Sequence, residues 1–444
     1  MGEKFILTLF VILIFTPISV VSVERFDIER TRANISISIE TVWNRTYGGI
    51  ADDGAGSGFL YPPSLIKTND GGFVLVGLTE SYGLGFDDLW LIKTNAIGQS
   101  EWNKTFGGVD DERAGSVVQT TDGGFLIAGR TNSFGAGGLD VWMVKTDTNG
   151  KHEWNKTYGG TEDDFANSVI QTADGGLALV GTTRSSGAGS DDMWLVKTNA
   201  SGVIEWDKTF GGGAADTGIS LIQTADGGFA LVGVLRSSDA GIKPDNMWLV
   251  KTNANGEVEW DKDFGGTSFD RSLSVIQAAD GGYVLVGESD SYGAGLGDAI
   301  LLKTDASGQQ EWNNTIGGVD ADLASSGIQT DDGGFILAGR TSSFGAGSFD
   351  VWMVRTDNNG QPQWNFTLGG ALSESANSFI QTANNEFVIA GSTFSYGAGG
   401  ADFWLIKVRW FKNTSTTSPR ASSFSGLGFL LSIGILIAKR KTKE

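Results

Sequence analysis

The chain contains no cysteine, which excludes disulfides, thiolate nucleophiles and thiolate metal sites. Its single histidine, His152, disfavours Ser-His-Asp and Cys-His catalysis and histidine-ligated zinc. Proline is scarce, at 6 residues against 66 glycines, so the chain is neither collagen-like nor a proline-rich disordered polymer. Positive charge is also short: 32 Lys and Arg face 52 Asp and Glu, a formal net charge of −20. Nucleic-acid binding needs a basic footprint that displaces counterions, and none is visible. An acidic shell instead favours solubility and draws cations.

Long apolar runs occur only at the two ends. Phe5 to Val23 follows Lys4 and is interrupted by Pro17, so residues 1–24 read as a signal peptide or signal anchor. Residues 411–425 form a Ser/Thr-rich linker, residues 426–438 an apolar anchor helix, and residues 439–444 a basic tail. An apolar stretch followed by Lys and Arg fits a stop-transfer segment with its positive end inside; a short buried helix is the other reading. Together the ends predict a surface protein whose 35–410 region lies outside the cell. Acceptor triplets for N-glycosylation begin at Asn34, Asn44, Asn103, Asn155, Asn199, Asn313, Asn365 and Asn413.

Between the ends, tryptophan is unusually frequent and regularly spaced. Trp43, Trp102, Trp154, Trp206, Trp260, Trp312 and Trp364 recur at intervals of 59, 52, 52, 54, 52 and 52. A second series runs through Trp90, Trp142, Trp194, Trp248, Trp352 and Trp404, with Ile300 standing in once. A period near 50 indicates a propeller or a solenoid. One unit reads as four short strands: A at 167–172, an Asp-Gly-Gly turn, B at 177–183, a loop RSSGAGSD, C at 193–198, a tight turn at 199–202, and D at 203–210. Seven A-B-C sets occur, the last lacking its D strand, while an orphan D strand containing Trp43 precedes the first. Pairing that strand with the segment around Trp404 closes a ring and removes exposed edges. The expectation is therefore an all-β, seven-bladed β-propeller of four-stranded antiparallel blades, closed by its N-terminal strand, with terminal apolar helices.

The strand, Gly-Gly pair and two-tryptophan pattern resembles the kelch-type propeller unit. The segment LVKTNASGVIEW is similar to the Asp-x-x-x-Gly-x-x-x-Trp hairpin of quinoprotein-type propellers. The kelch resemblance implies a binding platform. The cofactor-site residues of quinoprotein dehydrogenases have no match here, and the cysteine pair that some of them use is missing. No cofactor is expected, calcium excepted.

Topology sorts the loops. The A–B and C–D turns share one face and are too tight to offer much surface; the B–C loops and D–A connections occupy the other, where a ligand site is expected. On that loop face an acid stands four residues after each Gly-Gly pair: Asp53, Glu112, Asp164, Asp216, Asp270, Asp322 and Glu374. Serine follows four residues later in the regular units, Ser64 being the equivalent in the first. The acids form either a calcium-collecting ring of hard oxygen donors or a set of turn acceptors for backbone N–H groups. The B–C loops carry Tyr82, Phe134, Tyr292, Phe344 and Tyr396, as stacking surfaces for sugars or a partner, or as wedges between blades. Positions that break the symmetry are further ligand candidates: Tyr61 in an insertion within 50–63, and Arg130, Arg184, Arg236 and Arg340 after strand B. The strand-C cations Lys93, Lys145, Lys197, Lys251, Lys303, Arg355 and Lys407 recur in every unit and read as structural.

Three functions fit: a surface binding or adhesion module for a cell-surface glycan or protein, a carboxylate-dependent extracellular hydrolase or lyase, or a structural surface-layer element. No catalytic residue stands out.

Overall fold

The structure, a computed structural model, describes residues 35–54, 64–236 and 244–414, with the backbone alone at residues 35, 36, 413 and 414. Both terminal apolar segments, the basic tail, the linker beyond residue 414, Asn34, the Asn413 side chain and Tyr61 fall outside that description. Among the described residues no helix is long and apolar enough to cross a membrane.

The described chain is all β, in seven sheets. Blade 3 shows the plan: strand A Asp164–Gln171, B Leu177–Thr183, C Asp192–Thr198 and D Ile204–Phe210, each antiparallel to the next. Strands B and C are buried along their whole length. Each sheet is covered on both faces by its neighbours, so the usual apolar–polar alternation disappears there. The seven A strands are Ser64–Lys67, Glu112–Gln119, Asp164–Gln171, Thr217–Gln223, Asp270–Gln277, Asp322–Gln329 and Glu374–Ala383. Each touches the A strand before and after it, and the last touches the first. They therefore line the axis of a closed ring.

The ring closes as the tryptophan count predicts. Ile35–Tyr47 pairs with Asp402–Thr414, with Trp43 opposite Lys407 and Thr46 opposite Trp404. That is the register of Trp206 on Lys197 and Thr209 on Trp194 in blade 3. The contact to the next blade repeats as well. A Cβ on Gly98 would meet the Trp43 ring, as one on Gly202 would meet Trp154. The Tyr47 hydroxyl donates to Gly98 O at 2.5 Å, as Tyr158 donates to Gly202 O at 2.6 Å. Each apolar cluster joins two adjacent blades. The closing one packs Leu75, Trp90 and Ile92 of blade 1 against Val388, Phe403 and Leu405 of blade 7.

Two local features differ from the sequence reading. In blade 3 strand A starts at the acid itself, Asp164, three residues earlier than the pattern suggests. A bulge follows, marked in blade 3 by the register shift between Ala166 and Ser168. In blade 1 Gly54 pairs with Leu78 and Ser64 with Val76, so the insertion enters at that same bulge, where ladder pairing is already broken. The bulge also explains a glycine in every B strand. A Cβ on Gly181 would collide with Phe165 O, and one on Gly339 with Leu323 O.

The face of tight turns is held by ion pairs. Lys197, with 6% of its side chain exposed, reaches Asp174 at 3.0 Å and Glu205 at 2.9 Å. Lys93, Lys145, Lys251 and Lys303 repeat this bridge, and Arg355 and Lys407 make reduced versions with Asp332 and Glu386. His152 opens a D strand and is exposed.

Candidate functional site: the loop face

The seven candidate acids are all buried, between 0% and 1% exposed. Each accepts the N–H of the second glycine of its own Gly-Gly pair. Gly49 donates to Asp53 at 2.6 Å, Gly108 to Glu112 at 2.6 Å, Gly160 to Asp164 at 2.8 Å and Gly212 to Asp216 at 2.8 Å. Gly266 donates to Asp270 at 2.9 Å, Gly318 to Asp322 at 2.7 Å and Gly370 to Glu374 at 2.7 Å. Hydroxyls from the B strand or B–C loop complete the set: Ser185 and Ser343 donate to Asp164 and Asp322 at 2.6 and 2.7 Å. The carboxylates thus tie each incoming connection to its own blade. Among the described residues no three His, Cys, Asp or Glu side chains converge as metal donors. The serines after the bulge, Ser64, Ser116, Ser168, Ser220, Ser274, Ser326 and Ser378, are half-buried on the innermost strands.

A second column of acids escaped the sequence reading. Asp88, Asp140, Asp192, Asp298, Asp350 and Asp402 open the C strands, with Asn246 in blade 4. Their carboxylates accept loop N–H groups, such as Ala136 N on Asp140 at 2.8 Å and Ala398 N on Asp402 at 2.8 Å. Each lies beside the strand-A acid of the next blade across the first glycine of the Gly-Gly pair. A Cβ on Gly317 would collide with Asp298 Oδ1 and lie 2.7 Å from Asp322 Oδ2. The Oδ1 atoms of Asp298 and Asp402 are buried and accept no hydrogen bond. Burial raises the carboxyl pKa of Asp140, Asp216, Asp298 and Asp402, and the facing acid (Asp164, Asp192, Asp322 and Asp53) raises it further.

Four loop aromatics stand over a strand-C tryptophan: Tyr82 on Trp90 with ring centres 5.3 Å apart, Phe134 on Trp142 at 5.5 Å, Phe344 on Trp352 at 6.1 Å and Tyr396 on Trp404 at 5.3 Å. The hydroxyls of Tyr82, Tyr292 and Tyr396 donate to Gly48 O, Gly265 O and Gly369 O at 3.2, 2.8 and 2.9 Å. These rings are pinned at blade junctions, with Tyr82, Phe134 and Tyr292 still 47%, 44% and 39% exposed. Blade 3 places Ser186 at this position. A cavity of about 330 Å³ opens there, lined among others by Tyr158, Gly159, Gly160, Thr183, Ser186 and Trp194.

The arginines take different partners. Arg184 pairs with Asp163 at 2.7 Å and with Asp191, and Arg236 with Asp245 at 2.9 Å. Arg340 lies over Phe349 at 4.5 Å, and burial lowers its pKa to about 10. Arg130 is half-buried. Sequence reasoning also overlooked exposed apolar side chains on the same face: Ile50, Leu84, Phe86, Val109, Leu296 and Val319, each at least 73% exposed. Gly85 abuts the backbone of Val109, which brings Leu84 and Phe86 beside it. Of the candidate glycosylation sites, Asn44, Asn103, Asn155, Asn313 and Asn365 lie on D strands, and Asn199 opens a tight turn where its carboxamide accepts Ser201 N at 2.9 Å.

No family profile matches the chain, and no curated protein matches it. Solved structures do match. A polysaccharide lyase aligns over 83% of this chain and 99% of its own, with a TM-score of 0.52 at 11% identity. A protein of unknown function from Dyadobacter fermentans aligns over 84% and 99%, at 0.47 and 12%. A puromycin hydrolase aligns over 84% of this chain and 58% of its own, at 0.48 and 12%. At such identities the likeness shows the propeller fold alone.

Proposed function

We propose that this propeller is a binding scaffold of the cell surface, held by its chain ends and recognising a surface glycan or protein through its loop face. One observation carries the reading. Strands 35–47 and 402–414 run past the rest of blade 7 as a two-stranded ribbon, and both ends of that ribbon leave on the side of the tight turns. An anchor at residues 426–438 would then turn the loop face outward. That face combines variable B–C loops, exposed apolar side chains and half-exposed aromatic rings on a rigid ring. The opposite face is occupied by short turns and their ion pairs.

The test is a binding screen of purified propeller 35–414 on glycan and cell-envelope arrays, with and without calcium. Saturable binding without product release, lost when Leu84 and Phe86 are changed to Ser, supports the scaffold. Product release establishes the hydrolase or lyase alternative. Self-assembly with neither establishes a structural surface-layer element.

A further inference from the structure

The cavity of blade 3 is a vacancy in an arrangement that five of the seven blades repeat, blade 4 carrying Ser238 at the same sequence position. At five positions the B–C loop places an aromatic ring directly after a serine: Tyr82, Phe134, Tyr292, Phe344 and Tyr396. The ring tip in these blades reaches the second glycine of the incoming pair. A Cβ on Gly49, Gly108, Gly266, Gly318 or Gly370 would lie between 3.3 and 3.6 Å from it. In blade 3 the Cβ of Gly160 would meet Ser185 alone. The backbone has not moved to compensate. Ser186 N donates to Thr183 Oγ1 at 3.2 Å, as Phe134 N does to Thr131 at 3.2 Å and Tyr396 N to Thr393 at 3.1 Å. The loop has the geometry that presents a ring, and the ring is missing.

What remains is a recess lined by Trp194 and by the counterparts of groups that hold the ring in other blades. Its floor is Trp194, held by donation of Nε1 to Asp207 at 2.9 Å. Gly159 lines the wall and is the counterpart of Gly48, Gly265 and Gly369, whose carbonyls each accept a tyrosine hydroxyl. An aromatic floor with one well-placed acceptor selects a flat ring bearing a hydroxyl at its far end.

We infer that the recess over Trp194 receives a tyrosyl side chain of a protein partner, which completes blade 3 as Tyr82, Tyr292 and Tyr396 complete theirs. The acidic Asp207 at the rim favours a cationic residue beside that tyrosine. The inference names a ligand for one part of the loop face and so rests on that face being the binding side. The small-molecule test below is independent of whichever partner the arrays identify.

The probes are N-acetyltyrosinamide and 4-methylphenol, with N-acetylleucinamide as control, titrated into propeller 35–414 and followed by tryptophan fluorescence and protein-observed NMR. Saturable binding of both phenols with shifts centred on Trp194 is expected, at least tenfold tighter than the control. Ser186→Tyr should abolish it and raise Tm, because it supplies the missing ring in cis. Tyr396→Ser should create a second equivalent site, detectable as doubled stoichiometry, even if Ser186→Tyr fails to fold. Three results would each overturn the inference: no phenol binding, binding unaffected by a folded Ser186→Tyr, or a folded Tyr396→Ser variant with no added site. Array binding without phenol binding would remove the tyrosyl recess and leave the scaffold reading intact. Phenol binding without array binding would do the reverse.

Discussion

Replacing Asp298 by Asn should stabilise the protein at neutral pH, although it alters a fully buried side chain. Asp298 Oδ1 and Asp322 Oδ2 both crowd the Gly317 Cα, and Asp298 Oδ1 has no hydrogen-bond donor. Two unit charges about 4 Å apart repel by about 4 kcal/mol at an effective dielectric of 20. Part of this is relieved by proton uptake, because Asp298 titrates above its usual range through burial and the facing Asp322. The sign follows from linkage. A carboxyl whose folded pKa is raised binds its proton more tightly in the native state, so stability is greatest at low pH and is lost as pH rises through the folded pKa. The protein already contains the neutral version: Asn246 occupies the same position opposite Asp270. Asp298→Asn should therefore gain about 1–3 kcal/mol at pH 8 and less at pH 5, because proton uptake by Asp298 relieves the repulsion as pH falls. Differential scanning calorimetry at the two pH values measures this. A variant less stable than wild type by the same amount at both would refute the repulsion argument.

The ion pairs of the tight-turn face predict the opposite pH behaviour. Asp174 is held at about 2, against an ordinary 3.8, by the Thr172 hydroxyl and then by Lys197. Asp70, Asp122 and Asp226 also reach about 2, their lysine and threonine hydrogen bonds outweighing the effect of burial. A depressed carboxyl pKa stabilises above the unfolded value and loses that contribution as pH falls through the folded one. Acid titration monitored by near-UV circular dichroism should show this loss between pH 4 and pH 2. Lys197→Met should cost about 1–2 kcal/mol at pH 7, discounted because Asp174 and Glu205 are half in water, and the cost should shrink toward pH 2. Gly181→Ala should destabilise by about 3 kcal/mol in urea melts, because the new methyl meets the Phe165 carbonyl of the innermost strand and not a movable side chain.

The ring was legible because its signals recur in register. The two tryptophan series mark strands C and D, and Asp-Gly-Gly marks the A–B turn. Trp43 without a preceding C strand identifies the closing strand. Ile300, fully buried in the tryptophan column, shows that the column needs bulk more than an indole. Other features depend on what crosses from one blade to the next, which spacing along the chain does not reveal. The strand-A acids read as turn residues, so strand A appeared to begin at Asn167 and not at Asp164. The strand-C acids stand in plain view in the sequence, but their pairing with the following blade's acid exists only after the ring is closed. Ser186 is one of two gaps in the aromatic column, Ser238 of blade 4 being the other. Its meaning required the cavity over Trp194.

The placement of every face depends on the N-terminal strand zipping blade 7 shut, and the absence of cysteine makes a direct test simple. Ser38 and Phe411 are opposed on the closing ribbon, and both are exposed. Opposed residues in antiparallel strands lie about 4.5–5.5 Å apart between Cα atoms, within disulfide range. The double variant Ser38→Cys, Phe411→Cys should oxidise to one intramolecular disulfide, found by peptide mapping, with a higher Tm than its reduced form. A folded, monomeric double variant whose two thiols stay free under oxidation would contradict the closed ring.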